Sequence, residues 1–126
     1  IASDVFSNKC EVIGVEPKEV DDAYRSLQSG KIEYNSSTKT IADGLRTNLG
    51  DINFPIIKKL IKKIICVEEV EIINTMKIFI EKLDLVIEPS SAVALAGLIA
   101  KKEIYRNKKV GVVISGGNVD LNELAF

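Results

Sequence analysis

Apolar and polar residues recur with helical spacing in two long parts of the chain. Between positions 68 and 83 an apolar residue returns every three or four positions, and these residues share one face: Ile72, Ile73, Met76, Phe79, Ile80 and Leu83. This pattern predicts an amphipathic helix over 68–83. Three glutamates crowd its first turn, where the helix dipole favours anions. Small apolar residues predict a second helix that begins at Ser90 and ends near Lys102.

Short apolar segments elsewhere in the chain predict strands. They cover 11–15, 64–67 and 109–114. The last is rich in β-branched residues, which is typical of a strand that is covered on both faces of a parallel sheet. Because strands and helices alternate along the chain, the sequence predicts an α/β fold with a parallel sheet flanked by helices.

Two further helices are predicted between these strands. One covers 17–29 and is ended by Gly30, and the other covers 53–63 with Asn53 as its cap. Four lysines at the end of the second helix alternate with isoleucine and leucine, so we interpret them as its solvent face rather than a binding patch.

Composition narrows the classes of protein that fit this pattern. The 126 residues include 17 basic and 18 acidic side chains, a balance without the basic footprint of a nucleic-acid-binding protein. Histidine is absent, which removes the commonest general base and metal ligand. Two cysteines are too few for a disulfide framework, and the apolar surroundings of Cys66 predict a buried thiol. With no membrane-spanning run or signal peptide in the sequence, we expect a cytoplasmic location and no membrane partner.

Candidate chemistry lies at the carboxyl end of the predicted strand 109–114. Ser-Gly-Gly follows it at 115–117, and open α/β sheets bind ligands at such strand ends. Many strands end in this way, so the motif gains its significance from three others upstream. These are Gly-Val-Glu-Pro at 14–17, Thr-Ile-Ala-Asp-Gly at 40–44 and Ile-Glu-Pro-Ser-Ser at 87–91.

In this order, the motifs resemble the C-terminal part of pyridoxal-phosphate (PLP) enzymes of fold type II, the serine/threonine dehydratases (ammonia-lyases) and serine racemases. The resemblance covers 12–121 and also includes Asp-Asp at 21–22, Pro-Ile-Ile at 55–57 and Asn-Val-Asp-Leu at 118–121. It implies that 1–126 is the C-terminal portion of the PLP-binding large domain, a doubly wound fold. The Schiff-base lysine, the phosphate loop and the small domain would lie upstream, so the resemblance implies no catalytic residue in this chain.

The resemblance implies roles for five residues in cofactor binding. Ser115 would bond the pyridine nitrogen of PLP, Gly116 and Gly117 would allow the backbone close to the ring, and Gly44 and Glu88 would line the cleft. A hydroxyl does not hold a proton on that nitrogen as a carboxylate would, which suits loss of a β-hydroxyl. Structural alternatives remain open: a turn cap for Ser115, a tight turn for the glycines, and an ion pair or helix cap for Glu88.

A metal site is also implied by the resemblance. It would bind Mg or Ca through the carboxylate of Glu16, the backbone carbonyl of Val20 and the carboxylate of Asp22. Such hard cations take oxygen ligands. Acids near a helix start are also favoured by the helix dipole, which is the structural alternative. An ion here would act on structure and activation.

Function follows from the same resemblance. The first hypothesis is deamination of L-threonine or L-serine to a 2-keto acid and ammonia, by an enzyme that is a homo-oligomer. Serine racemase is the nearest alternative, and a non-catalytic half-domain that acts as a binding module is an alternative of another class. ATP-activated animal racemases carry a lysine four residues before the glutamate at position 88, where this chain has Asp84, although Asn118 is retained. This difference favours a dehydratase.

Overall fold

Two parallel strands and the helices around them form the core of the chain. The computed structural model describes residues 1–6 and 10–120. Its elements in order are α1 (Ala2–Phe6), β1 (Val12–Pro17), α2 (Asp22–Ser29), α3 (Asn53–Leu60), β2 (Ile61–Val67), α4 (Glu69–Leu83) and α5 (Pro89–Ala100), with 3-10 turns at Lys18–Val20, Asp43–Leu45 and Lys102–Tyr105. Within the described ranges no helix has the length and apolar character needed to cross a membrane.

The sheet is parallel, as the alternation of elements predicts. β1 pairs with β2 from Val12 opposite Ile61 to Pro17 opposite Val67, with one irregularity after Val12. Two helices and a long loop separate the paired strands in the chain, which is the connection that parallel strands require. The α/β class with helices flanking a parallel sheet is therefore confirmed.

The start of α2 differs from the prediction. The predicted helix 17–29 begins only at Asp22, because Pro17 still pairs in β1 and a 3-10 turn follows it. The predicted end is correct: Gly30 adopts φ 77, and its N–H bonds the carbonyl of Ser26. This left-handed conformation suits glycine, which has no Cβ to clash.

The boundary between α3 and β2 corrects a second prediction. The helix predicted to reach position 63 ends at Leu60, and Ile61 is already extended with φ −88 and ψ 126. Lys62 and Lys63 therefore belong to a strand rather than to the solvent face of a helix. Pairing of Ile61 with Val12 decides this boundary, since β hydrogen bonds across the sheet outweigh a local helical pattern.

The predicted cap of α3 is also wrong. Ile52 occupies the N-cap position, and no side chain caps the helix. Asn53 is the first helical residue instead, and its N–H bonds the carbonyl of Gly50 at 3.2 Å, as does that of Phe54 at 3.0 Å. Because the preceding turn already supplies an acceptor to the first helical N–H groups, no side-chain cap is needed there.

α4 confirms the strongest sequence prediction. Glu68 is its N-cap and forms a capping box with Glu71, whose carboxylate accepts the Glu68 N–H at 2.8 Å. The helix ends at Leu83, and Asp84 follows as its C-cap in the left-handed conformation with φ 55. Its apolar face packs against α5, which in turn contacts both strands, and the buried cluster contains Ile65, Val67, Ile72, Met76, Phe79, Ile87, Ala92, Val93 and Ala96.

The segment 109–114, predicted as a covered strand, forms no strand in the described structure. Val110 and Val113 are 46% and 78% exposed. The reason is that no described strand lies beside the segment, and a strand needs a neighbour to complete its hydrogen bonds.

Cys66 is half-buried rather than fully buried, because β2 buries only some of its positions. Leu121, the last residue of the resemblance, lies outside the described residues.

Candidate functional site

The first turn of α5 is where the motif loops meet. Pro89 begins the helix, and proline is favoured there because its fixed φ is helical and it has no N–H to satisfy. The backbone carbonyl of Glu88 accepts the N–H groups of Ser91 and Ala92 at 3.0 and 3.2 Å. Ser90 and Ser91 follow Pro89 in this turn, so two adjacent hydroxyls lie at the start of the helix.

Ser91 binds the Ser-Gly-Gly segment to this helix. Its Oγ accepts the N–H of Ser115 at 3.2 Å and the N–H of Gly116 at 2.8 Å, and it lies 3.1 Å from Ser115 Oγ. Ser91 is 1% exposed, whereas Ser115 is exposed. These contacts hold the segment in place without a sheet, and the hydroxyl of Ser115 remains accessible to a ligand.

Ser90 binds the loop of the Thr-Ile-Ala-Asp-Gly motif to the same helix start. The N–H of Gly44 donates to Ser90 Oγ at 3.0 Å and to Asp43 Oδ1 at 2.9 Å. A Cβ at Gly44 would lie 2.9 Å from Ser90 Oγ, so a larger residue there would displace the Ser90 hydroxyl. Asp43 is exposed, and its carboxylate accepts this hydrogen bond from the next residue of its own loop.

Glu88 lies directly against the glycine pair. Its N–H donates to the carbonyl of Gly116 at 3.2 Å, and a Cβ at Gly116 would lie 2.6 Å from Glu88 Oε2. A Cβ at Gly117 would lie 2.8 Å from the carbonyl oxygen of Val86. The two glycines therefore have a packing reason of their own, which is the approach of the 86–88 segment. The side chain of Glu88 does not cap α5, and among the described residues it forms no ion pair.

The structure thus brings the five predicted cofactor residues, Gly44, Glu88, Ser115, Gly116 and Gly117, around the start of α5. Their roles toward PLP stay predictions. An exposed hydroxyl can donate a hydrogen bond to an unprotonated ring nitrogen, so the residues present fit that group. Sequence reasoning assigned no role to Ser90 and Ser91, although both follow the Ile-Glu-Pro motif directly. A hydroxyl in a first helical turn has many local uses, so the sequence alone could not indicate their partners.

The predicted metal ligands begin at the carboxyl end of β1, with Glu16. Glu16 accepts the N–H of Ala23 at 3.3 Å and the N–H of Tyr24 at 2.8 Å, in the first turn of α2. Burial of its carboxyl raises the pKa of Glu16 to about 7, the N–H of Tyr24 opposes the rise, and the charge of Asp22 adds to it. Glu16 therefore has a clear structural role, which is to satisfy the start of this helix.

Asp22 also has protein partners. It is 3% exposed, and its carboxylate accepts the side-chain amide of Asn35 at 2.7 Å and the N–H of Leu49. Across the described residues, no group of three or more acidic, cysteine or histidine side chains is arranged to hold a metal ion. The site predicted at Glu16, the Val20 carbonyl and Asp22 therefore stays a prediction, and an ion would have to share these oxygens with protein donors.

Comparisons with known proteins agree with one another. Residues 4–116 match the model of a family described as pyridoxal-phosphate dependent enzyme. A β-hydroxyaspartate dehydratase of Paracoccus denitrificans is 42% identical over 115 residues, which are 91% of this chain and 36% of that protein. The structure of maize serine racemase superposes with a TM-score of 0.90 at 36% identity, over 96% of this chain and 38% of that one.

The processed form of threonine deaminase isoform 2 from Solanum lycopersicum is a further structural match. Its TM-score is 0.86 at 29% identity, over 95% of this chain and 34% of that chain. This chain therefore spans little more than a third of the length of these three proteins. The matched structures share the fold type II architecture that the sequence motifs predict.

Proposed function

Because the chain belongs to the family of pyridoxal-phosphate dependent enzymes, we propose that it forms part of an enzyme that removes water from L-threonine or L-serine and releases a 2-keto acid and ammonia. The observation that carries this proposal is the exposed hydroxyl of Ser115, held by Ser91 at the start of α5. Relatives named as dehydratase, deaminase and racemase support a reaction at the α-carbon of a small amino acid.

The chemistry of the serine favours elimination. PLP, when bound, withdraws electrons from the α-carbon of an amino acid and so makes its proton removable. Ser115 would orient the ring by donating a hydrogen bond to its nitrogen, and a neutral donor leaves that nitrogen without a full positive charge. A ring that accepts less charge favours a substrate that can lose a β-hydroxyl. Gly44 and Glu88 would border the same cleft.

Serine racemase is the nearest alternative function. It shares removal of the α-proton and differs in the face from which the proton returns. Asp84 bears on activation by nucleotide, since animal-type racemases have a lysine there. In this structure Asp84 ends α4 in the left-handed conformation, a position that asparagine and aspartate tolerate and lysine occupies less readily. The aspartate at this position argues against activation by nucleotide, and so against an animal-type racemase.

The test uses the complete natural polypeptide that contains this sequence. With PLP added, borohydride reduction and peptide mapping should label one lysine outside residues 1–126. Keto-acid assays with L-threonine, L-serine and 3-hydroxyaspartate then rank the substrates, and chiral chromatography detects D-serine. Ser115→Ala should weaken PLP binding, whereas Ser36→Ala, at an exposed serine far from α5 in the sequence, should not. A polypeptide that takes up no PLP would refute the proposal and leave the binding-module alternative.

We also propose that Glu16, the Val20 carbonyl and Asp22 bind Mg or Ca. Burial raises the pKa of Glu16 first, and the charges of Asp22 and Asp21 add to the rise. A cation would relieve this repulsion between carboxylates, which supports the proposal. Titration calorimetry of the chelator-treated protein with each ion should show binding that Asp22→Asn abolishes. No heat with either ion would leave these carboxylates with their structural roles alone. The expected homo-oligomer and cytoplasmic location stay predictions.

A further inference from the structure

We propose that Ser91 is a positioning residue that donates its hydroxyl proton to Ser115 Oγ and so leaves the Ser115 proton free to be donated to the cofactor ring. The inference rests on the proposed contact between Ser115 and the pyridine nitrogen. Ser91 touches neither cofactor nor substrate in this scheme, and it acts only through Ser115.

The direction follows from the hydrogen-bonding capacity of a hydroxyl. A serine Oγ has one proton to donate and two lone pairs that accept. Ser91 Oγ already accepts two backbone N–H groups, from Ser115 at 3.2 Å and from Gly116 at 2.8 Å. Both lone pairs are therefore in use. The 3.1 Å contact between the two Oγ atoms must then run from the Ser91 hydroxyl to Ser115 Oγ.

This assignment leaves the proton of Ser115 free. Because Ser115 Oγ accepts from Ser91, its own O–H is not used in this contact, and Ser115 is an exposed residue. A donated hydrogen bond also polarises the group that accepts it, which strengthens that group's own donation. The pair therefore forms a directed chain that ends in a free O–H donor, and this suits an unprotonated ring nitrogen.

The surroundings of Ser91 favour this direction of the hydrogen bond, from the Ser91 hydroxyl to Ser115 Oγ. Ser91 is 1% exposed, so no bulk water competes for its hydroxyl. Its backbone lies in the first turn of α5, where its N–H bonds the carbonyl of Glu88 at 3.0 Å. Without this hydroxyl, Ser115 could rotate, and two backbone N–H groups would lose their acceptor.

The experiment measures the ring nitrogen directly. The complete polypeptide is loaded with PLP labelled with ¹⁵N in the pyridine ring, and the ¹⁵N chemical shift and the PLP dissociation constant are determined. Ser91→Ala should move the shift toward that of Ser115→Ala and weaken PLP about tenfold, the effect of about one neutral hydrogen bond. Ser36→Ala should match the parent in both. Far-UV circular dichroism verifies the fold of each variant.

Ser91→Cys provides a second variant of nearly the same shape. A thiol is a weak donor and acceptor, so its ¹⁵N shift should lie between those of the parent and Ser115→Ala. If Ser91→Ala does not fold, this variant decides the matter. The role of Ser91 would be overturned if a folded Ser91 variant kept the ¹⁵N chemical shift of the parent while Ser115→Ala changed that shift. A parental shift in Ser115→Ala itself would instead refute the proposed contact of Ser115 with the cofactor.

Discussion

Gly97→Ala tests the packing that places the first turn of α5 beside the motif loops. Gly97 lies buried on the face of α5 that meets β1. A Cβ built there would lie 2.6 and 2.7 Å from the two Cγ atoms of Val15 and 3.2 Å from its Cβ. Because all three side-chain atoms of Val15 are crowded, rotation about its χ1 angle cannot clear the clash. The helix or the strand must move.

Two opposing terms set the size of the effect. Alanine in place of glycine inside a helix normally stabilises by about 1 kcal/mol. Carbon atoms pack at about 3.5–4.0 Å, so the two elements must separate by about 1 Å. Overpacking of this kind costs about 1–3 kcal/mol, and a β-branched neighbour places the cost in the upper part of that range. We therefore expect a net loss of about 1–2 kcal/mol.

Thermal unfolding of the complete polypeptide measures this loss. At about 2–4 °C per kcal/mol, the midpoint should fall by roughly 2–8 °C. Gly50→Ala is the matched control, since nothing lies within 4 Å of a Cβ at that position, and it should leave the midpoint nearly unchanged. PLP binding should weaken in Gly97→Ala as well, because any shift of α5 moves Ser91.

The background Val15→Ala identifies the cause. There the two short contacts with the Cγ atoms are removed and only the 3.2 Å contact with the Cβ remains, so adding Gly97→Ala should cost much less than it does in the parent. A single Gly97→Ala variant as stable as the parent would refute the steric argument. A loss that persists at full size in the Val15→Ala background would show that another contact is responsible.

Two further predictions concern titratable groups. Because the pKa of Glu16 is about 7 in the folded protein and 4.5 in the unfolded chain, its contribution is greatest below pH 4.5 and is lost as the pH rises to about 7. With chelator present, the free energy of unfolding measured in urea should be higher near pH 5 than near pH 7 by roughly 1–2 kcal/mol. This is less than the full pKa shift would give, because water screens part of the effect. An equally steep pH dependence in Glu16→Gln would contradict the assignment to Glu16. Burial raises the pKa of the Cys66 thiol to about 11, whereas Cys10 is exposed. Iodoacetamide near pH 8, followed by peptide mass spectrometry, should label Cys10 at least about tenfold faster, and equal rates would be inconsistent with a protonated Cys66.

The site could be predicted only in part. The family resemblance carried by the motifs implied that Gly44, Glu88, Ser115, Gly116 and Gly117 lie at one place, and in the structure they lie together around the start of α5. The sequence could not show that Gly117 lies against the Val86 carbonyl and Gly116 against the Glu88 carboxylate, because these contacts join segments that are distant in the chain. For the same reason the roles of Ser90 and Ser91 became visible only from their partners.

By itself, the sequence determined the elements in which both partners of each hydrogen bond or side-chain contact lie within a few residues of each other. α4 with its capping box, the left-handed end of α2 at Gly30, and the alternation that requires a parallel sheet are of this kind. Tertiary structure alone decided that the chain leaves the helix at Ile61, since its strand partner Val12 lies far away in the sequence. It also decided that 109–114 has no partner among the described strands, and that Ser91 and Ser115, 24 positions apart, are joined by hydrogen bonds. Such contacts depend on where the whole chain places its backbone, which no local pattern encodes.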